Sequence, residues 1–329
     1  MTAEVDYEYW TTNPQTGEPV PQSSNPARIA DMVALAGLQP GMRVLEVGTG
    51  TGYTAAVLAD TVGSSGQVVS LDVDRELVAR AAELHRHAGN TQVEIHEADG
   101  THGWENGAPY DRIIGWTTPH VLPRQWVQQA AHRSVIVTPV HVSDVANAHA
   151  VIRARIEHGA PAEASAHAGS FIEMTPQPVT DFGQPRRYVD TVVTSRTGER
   201  AWISISGHRL PHGQSETITG QLAATEPEQD WIDPTRWPDF TTYLISTVSD
   251  GTPISASTGT EQGFGFTNKD GTVLVLRDGS VVACGATTAL DALRRIRDAW
   301  EQAGKPGYDA ASVVFNATVD GWRSCLRYV

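Results

Sequence analysis

Cysteine is nearly absent from this sequence. Of its 329 residues only Cys284 and Cys325 are cysteines, and no Cys-x-x-Cys pair occurs. A disulfide-rich scaffold and a cysteine-based metal site each need several thiols at close spacing, so both classes are excluded. We expect two buried thiols rather than a single bridge.

Positive charge is also scarce. The chain has 24 Lys and Arg against 38 Asp and Glu, a net charge of −14, and its two lysines are Lys269 and Lys305. An acidic surface repels phosphates, so we predict no nucleic-acid partner. The clearest basic cluster, Arg294, Arg295 and Arg297, falls on a predicted amphipathic helix, where a solvated face explains it.

Long hydrophobic runs are missing as well. No apolar run approaches the roughly 20 residues that a membrane-spanning helix needs. Residues 1–7 carry acidic side chains instead of the apolar segment of a secretory signal. We therefore predict no membrane partner and, by default, a cytoplasmic protein.

The first half of the chain alternates between short apolar strands and helices. Predicted strands cover residues 43–47, 68–72, 93–95, 111–116 and 134–138, and helices follow Ser24, Gly52 and Asp74. This alternation favours a parallel sheet with helices on both faces, an α/β fold.

The pattern changes near residue 180, in the proline-containing stretch 175–187. Hairpins are predicted there for 190–193 with 202–205, around a turn at 196–198, and for 273–276 with 281–283, around Asp278-Gly279, and a capping box at Thr288 opens a helix to about Ala303. We therefore divide the chain into an extended N-terminal arm (1–23), an α/β domain (24–180) and a smaller α+β C-terminal domain (181–329).

A glycine-rich run follows the first predicted strand. Gly48-Thr49-Gly50-Thr51-Gly52 lies between that strand and a helix beginning at Tyr53. Glycines let a ligand approach the backbone and the helix N-terminus closely. A tight turn alone is the simpler explanation, but the correct flanking elements favour a ligand site.

Two acidic residues follow at the ends of the next strands. Asp72 comes twenty residues after Gly52, where a carboxylate can accept hydrogen bonds from both hydroxyls of a ribose. Asp99, beside Gly100, lies on the same rim of the sheet and is placed to meet an adenine edge. Helix capping by Asp72 and turn formation by Asp99 are the simpler alternatives.

The glycine spacing tests whether the loop is built for a dinucleotide cofactor. A dinucleotide fingerprint has a third glycine three residues after the second, but that position is Tyr53 here. The fingerprint therefore fails. Glu46, two residues before Gly48, is also typical of methyltransferases.

The stretch from about Ser24 to Val140 resembles the protein-L-isoaspartate (D-aspartate) O-methyltransferases. The resemblance rests on Ser24-Asn25-Pro26, on the runs 38–53 and 108–114, and on Asp99-Gly100. It implies a Rossmann-like methyltransferase sheet in domain 24–180, with S-adenosyl-L-methionine as the cofactor. The expected cofactor-binding residues are Glu46, Gly48, Thr49, Gly50, Gly52, Tyr53, Asp72, Asp99 and Gly100.

The same resemblance implies a catalytic serine. In that family a serine just before the first core helix contacts the substrate carboxylate, and Ser24 occupies that place. Capping of the helix is the simpler role. We assign Ser23, Ser24, Trp116 and Thr117 to the substrate pocket. An aspartate carboxyl, with a pKa of about 4, is already ionised at neutral pH, so its methylation requires no general base.

The C-terminal part departs from ordinary repair enzymes of the family, which end soon after the sheet. Its segment 300–308 is similar to actinobacterial homologues that accompany gene clusters for lanthipeptides, lasso peptides and graspetides. Those homologues methylate an L-Asp of a constrained peptide, and the ester then closes to an aspartimide. We predict such a substrate, recognised by the C-terminal domain. Repair of L-isoaspartyl protein is the alternative, and an inert peptide-binding scaffold is a third.

The histidines give no metal prediction. His85 and His87 lie two residues apart on a predicted helix, so they do not share a face. His208 and His212 flank Pro211 in a predicted loop. Neither pair has a third ligand at metal-site spacing, so we predict no metal.

Overall fold

The chain forms three β-sheets in a computed structural model that describes residues 5–14, 16–179, 185, 187–194, 198–207 and 212–328. The helices are α1 (Tyr7–Thr11), α2 (Pro26–Ala36), α3 (Tyr53–Val62), α4 (Arg75–Ala88), α5 (Arg124–Gln129), α6 (His212–Ala224), α7 (Trp237–Thr247) and α8 (Thr287–Gln302). The strands of the first half are β1 (Arg43–Val47), β2 (Gln67–Asp72), β3 (Val93–Glu97), β4 (Tyr110–Gly115), β5 (Leu122–Pro123), β6 (Ala130–His141), β7 (His149–Glu157) and β8 (Ala160–His167). The strands that follow are β9 (Thr191–Thr194), β10 (Arg200–Ile205), β11 (Thr252–Ser257), β12 (Gln262–Thr267), β13 (Gly271–Leu276), β14 (Val281–Gly285), β15 (Ser312–Ala317) and β16 (Gly321–Arg327).

The first sheet has the strand order β3-β2-β1-β4-β6-β7-β8. Strands β1 to β4 and β6 are parallel, as predicted, because a helix or a long connection separates each from the next. Strands β7 and β8 are antiparallel, so the sheet is mixed. The connection from β6 to β7 is too short for a crossover, which requires a dozen or more residues, and it forces this reversal.

Helices cover both faces of this sheet, which confirms the predicted α/β architecture. Helices α2 and α3 bury Ile29, Met32 and Leu58 in one apolar cluster. Helix α5 buries Trp126 in a second cluster, on the other face. The Rossmann-like fold class is therefore confirmed for this part of the chain.

The N-terminal arm is not extended over its whole length. Residues 7–11 form helix α1, whose N-terminus is capped by Asp6. Trp10 is only 4% exposed and packs against the His85 ring at 4.5 Å between centroids. The prediction of an extended arm is wrong for these residues, because an N-cap and one large apolar side chain suffice to dock a short helix.

The second sheet, β14-β13-β12-β11-β10-β9, is antiparallel throughout. Helices α7 and α8 pack on one face through Phe240 and Trp300, and α6 packs on the other. The predicted α+β C-terminal part and both hairpins are confirmed, although residues 196 and 197 of the predicted turn lie outside the described residues. The predicted capping box is wrong, because the N-cap of α8 is Ala286, two residues before Thr288, and its side chain cannot accept a hydrogen bond.

The end of the chain returns to the first half. Strand β16 pairs with both β15 and the short β5, so the third sheet joins residues near 122 to residues near 322. An apolar cluster with Ile152, Ile245 and Leu326 lies between the two halves. Cys284 and Cys325 are unbridged and half-buried. Across the described ranges, we find no helix with the length and apolarity needed to cross a membrane.

Candidate active site

The glycine run between β1 and α3 adopts a backbone that side chains would hinder. Gly48, Gly50 and Gly52 have φ angles of +98°, +50° and +85°. A Cβ atom at Gly52 would lie 2.9 Å from Ala81 Cβ of α4. The loop therefore depends on glycine for both its conformation and its packing, and it lines a cavity at the start of α3.

Asp72 closes this loop from the end of β2. Its Oδ2 accepts a hydrogen bond of 2.9 Å from the Gly50 backbone N–H, and its Oδ1 accepts one of 3.0 Å from Asp74 N–H. Burial raises the pKa of Asp72, and these backbone donors oppose that rise. Asp74, not Asp72, caps α4, so the simpler capping role is wrong for Asp72. Its carboxylate lines the cavity beside the loop.

Glu46 lies beneath the loop and is fully buried. Its Oε1 accepts a 2.9 Å hydrogen bond from Trp116 Nε1, and its Oε2 accepts one of 2.6 Å from Ser70 Oγ. Ser70 Oγ also lies 2.7 Å from Thr49 Oγ1. Among the described residues that line the cavity, Glu46 is absent. It therefore holds the loop and the Trp116 indole in place from below, a role that the sequence did not indicate.

The burial of Glu46 predicts a pH dependence of stability. Desolvation raises its pKa from 4.5 to about 7 in the folded protein, although its hydrogen-bond donors act in the opposite direction. The folded state then binds a proton that the unfolded chain has lost, so this contribution is present below about pH 4.5 and disappears as the pH rises through about 7. We expect wild-type protein to lose about 3 kcal/mol of unfolding free energy across this range relative to Glu46→Gln.

Urea unfolding of both proteins at a series of pH values measures this difference. Buried His85, whose pKa is lowered to about 4 by desolvation, titrates in both proteins and cancels in the comparison. Parallel stability curves for the two proteins would contradict the raised pKa of Glu46.

Asp99 is used within its own turn. Its Oδ1 accepts hydrogen bonds from the backbone N–H and the hydroxyl of Thr101, at 2.9 and 2.7 Å. Ala98 and Gly100 line the cavity on either side, whereas Asp99 does not belong to the described lining. Gly100 packs closely on Val47, which leaves no room for a Cβ atom there. Gly100 therefore lines the cavity, whereas the Asp99 carboxylate stabilises its own turn; the predicted adenine contact stays a prediction.

The two serines before α2 differ in what their hydroxyls do. Ser23 Oγ donates a 2.6 Å hydrogen bond to Val20 O. Asn25 caps α2 through a 2.9 Å bond from Ala27 N–H, so the capping role considered for Ser24 belongs to its neighbour. Within the part of the chain that the structure describes, Ser24 Oγ has no hydrogen-bond partner, and Ser24 lines the cavity. Its hydroxyl is available to a ligand.

Trp116 and Thr117 form the wall of the cavity directly beside Gly48. Trp116 is 5% exposed, and a Cβ atom added at Gly48 would lie 3.3 Å from the Trp116 Cβ. Thr117 Oγ1 is buried and has no partner among the described residues. Both residues line the cavity, as expected for an acceptor pocket, and the bond from Trp116 to Glu46 fixes the indole.

The cavity has a volume of about 850 Å³ and extends beyond the glycine loop, Ser24 and Trp116. It begins at the glycine loop and continues to the C-terminal part, where residues of α7, β11 and β12 line it. Lining residues that the sequence did not reveal are Tyr7, Thr11, Leu77, His149, Phe171, Glu173, Trp237, Phe264, Arg277 and Tyr308. The cavity thus joins a nucleotide-type loop to a second, more aromatic wall.

Comparison with known proteins agrees with this geometry. A family model described as Protein-L-isoaspartate(D-aspartate) O-methyltransferase (PCMT) matches residues 2–174, more than half of the chain. The chain belongs to this family. The predicted family is therefore confirmed, and with it S-adenosyl-L-methionine as the cofactor of that family.

Individual PCMT relatives match a smaller part. Protein-L-isoaspartate O-methyltransferase 2 of Archaeoglobus fulgidus is 41% identical over 117 residues, which is 36% of this chain and 53% of that protein. A solved protein-L-isoaspartate O-methyltransferase has 19% identity and a TM-score of 0.43, and covers 93% of this chain and 81% of its own. The Plasmodium falciparum beta-aspartate methyltransferase (PCMT), in complex with S-adenosyl-L-homocysteine, has 18% identity and a TM-score of 0.42. The matched region covers 47% of this chain and 76% of that protein. The chain spans about half the length of the curated relatives it matches.

The PCMT match ends at residue 174, so the second sheet and its helices lie beyond it. Within the matched part, the N-terminal arm contributes to the site. Tyr7 Oη donates a 2.9 Å hydrogen bond to Ser24 O, and the Tyr7 ring meets the Tyr53 ring edge-on at 5.0 Å. Arg80 of α4 holds the arm by donating to Trp10 O and Thr12 O. The only signal for this in the sequence is a tryptophan in a polar segment.

Proposed function

We propose that this PCMT-family protein transfers the methyl group of S-adenosyl-L-methionine to an aspartate side-chain carboxylate of a ribosomally made, modified peptide. The methyl ester then closes to an aspartimide. The proposal places the enzyme in the cytoplasm, with domain 24–180 as the methyltransferase and domain 181–329 as the part that recognises the peptide. The observation that carries it is the continuous cavity from Ser24 and the glycine loop to the C-terminal part.

The residues around the loop fit this cofactor. Gly48 and Gly50 line the cavity without side chains of their own, and the Asp72 carboxylate beside them is in position to accept hydrogen bonds from ribose hydroxyls. The N-terminal end of α3 favours the negative charge of the cofactor's carboxylate. When bound, the cofactor supplies an electrophilic methyl group on a positively charged sulfur, which is its own leaving group.

The chain has little proton chemistry to perform. An aspartate carboxylate of the substrate is already ionised at neutral pH and attacks the methyl carbon directly. The new O–C bond forms as the S–C bond breaks, and S-adenosyl-L-homocysteine leaves. Ser24 donates its hydroxyl to one carboxylate oxygen and leaves the other free to attack, while Trp116 excludes water from that side. In the closing step the next backbone amide nitrogen attacks the ester carbonyl, and methanol leaves.

Ser24→Ala is expected to lower kcat about tenfold to a hundredfold, because a hydrogen bond to a charged group contributes about 1.5–3 kcal/mol. Initial-rate measurements with saturating cofactor test this. Ser23→Ala is the comparison, since that hydroxyl already donates to Val20 O and we expect a smaller loss. Unchanged turnover in Ser24→Ala would rule out the assignment.

The far wall of the cavity favours a peptide substrate. Trp237, Phe264 and Tyr308 present rings there, and the Arg277 guanidinium lies 5.5 Å from the Trp237 ring centroid. Rings with one cation offer apolar area and a partner for an acidic group, which together suit an acidic, constrained peptide. An enzyme that accepts any damaged protein has no need of such a wall.

Repair of L-isoaspartyl residues is the second candidate, favoured by the names of the curated relatives. Incubation with a linear isoaspartyl hexapeptide and, separately, with a constrained L-Asp precursor peptide distinguishes the two functions. We expect mass spectrometry to show a methyl gain and then a net loss of water for the precursor alone. Turnover of the hexapeptide with no reaction of the precursor would establish repair. An inert scaffold would fail to bind S-adenosyl-L-methionine at all.

A further inference from the structure

Three buried side chains converge at the edge of the cavity, away from the glycine loop. His141 ends β6 and His149 begins β7, and the two are register partners in the antiparallel pair. Glu173 forms an isolated bridge with Thr118, one residue beyond Thr117 of the acceptor wall. One nitrogen of each histidine and a carboxylate oxygen of Glu173 all lie within 4.8 Å of one another.

The histidines of this group have donor atoms that the protein leaves unused. His141, His149 and Glu173 are only 4%, 5% and 8% exposed. Both ring nitrogens of His141 and Nε2 of His149 have no hydrogen-bond partner within the described ranges. A buried polar atom without a partner costs about 1–3 kcal/mol, so two such atoms on one nearly fully buried imidazole favour a ligand-binding role for His141.

Neighbouring polar side chains orient two of the three proposed ligands, His149 and Glu173. His149 Nδ1 lies 3.0 Å from Ser170 Oγ, which orients its ring and leaves Nε2 directed elsewhere. Arg187 Nε lies 3.7 Å from Glu173 Oε2, close enough to hold the carboxylate in place beside the two rings.

We propose that His141, His149 and Glu173 bind a divalent transition-metal ion of the zinc class. Two imidazoles and one carboxylate form one of the ligand sets that Zn²⁺ takes with three protein ligands, leaving a fourth position open. His149 and Glu173 line the cavity, so that fourth position faces it. The ion would satisfy the unpartnered nitrogens and join the β6–β7 turn to the segment that carries Glu173.

This inference does not rest on the proposed methyl transfer. The ligands come from β6, β7 and the 172–174 segment, whereas the cofactor loop and Ser24 come from other elements. Metal binding can therefore be measured with no peptide and no cofactor present. If the protein bound zinc but did not methylate the peptide, the metal site would be supported and the proposed function would be wrong.

The test is titration of the full-length protein, freed of metal with a chelator, with ZnCl2 and with CoCl2. We expect about one equivalent of Zn²⁺ to bind and Co²⁺ to develop the visible absorption of a four-coordinate site. His141→Gln and Glu173→Gln should each weaken Zn²⁺ binding by at least about a hundredfold. His87→Gln, which removes an exposed histidine on α4, is the matched control and should leave binding unchanged.

Absence of stoichiometric Zn²⁺ and Co²⁺ binding by the wild-type protein would overturn the proposal. So would unchanged affinity in both ligand variants, since binding would then occur elsewhere. Far-ultraviolet circular dichroism checks that each variant is folded. If His141→Gln does not fold, Glu173→Gln and the wild-type cobalt spectrum decide the outcome.

Discussion

Asp72→Ala is expected to weaken S-adenosyl-L-methionine binding by about a hundredfold to a thousandfold. In the proposed site the carboxylate accepts hydrogen bonds from two ribose hydroxyls, and each hydrogen bond to a charged group contributes about 1.5–3 kcal/mol. The change also removes the acceptor of the Gly50 N–H bond, so the glycine loop loses its anchor at the end of β2. Both effects act on the same ligand surface, which is why the expected loss is large.

Isothermal titration calorimetry with S-adenosyl-L-homocysteine measures this loss without turnover. Asp72→Asn keeps the shape of the side chain and one acceptor oxygen, so an intermediate affinity is expected. Asp31→Ala removes an exposed carboxylate of α2 and serves as the control for net charge. If Asp72→Ala bound the ligand as tightly as Asp31→Ala, the assignment of the ribose position would be wrong.

Trp10→Ala is expected to lower the free energy of unfolding by about 3–5 kcal/mol, the usual loss when a buried large aromatic is truncated. The Trp10 ring packs against His85 and lies 3.4 Å from where a Cβ at Gly52 would be. Its removal leaves a cavity between the arm and α4. Since α1 carries Tyr7 and Thr11 into the site, cofactor affinity should fall together with stability.

Tyr9→Ala is the matched control for this prediction. Tyr9 lies on the same helix and is also aromatic, but it is 49% exposed, so a loss well under that of Trp10→Ala is expected. Urea unfolding gives the stabilities, and limited proteolysis reports whether the arm has detached. Equal losses in the two variants would contradict a docked arm.

Much of the first half of the chain could be predicted from the sequence. Strand, glycine run and helix are local patterns, set by apolar periodicity and by the conformational freedom of glycine, and Gly48, Gly50 and Asp72 lie at the cavity as the pattern indicated. Ser24 was placed by resemblance, and the structure shows its hydroxyl available while Asn25 caps the helix. These features depend on neighbours a few residues away.

The roles of Glu46 and Asp99 were decided by tertiary contacts. Both were expected at the cofactor, yet Glu46 lies buried under the loop and Asp99 bonds to Thr101. A sequence position near a loop does not reveal the direction of a side chain, which depends on donors elsewhere. For Glu46 those donors are Ser70, within β2, and Trp116, just after β4.

The sequence by itself determined the α/β architecture, the glycine loop with Asp72 and the family of this protein, because these follow from local periodicity and short motifs. Only the tertiary structure joined the C-terminal wall to the cavity, docked the arm on α4, and brought His141 and His149 to Glu173. Contacts between residues so far apart in the chain depend on strand register and long-range packing, which cannot be read from the spacing of residues in the sequence.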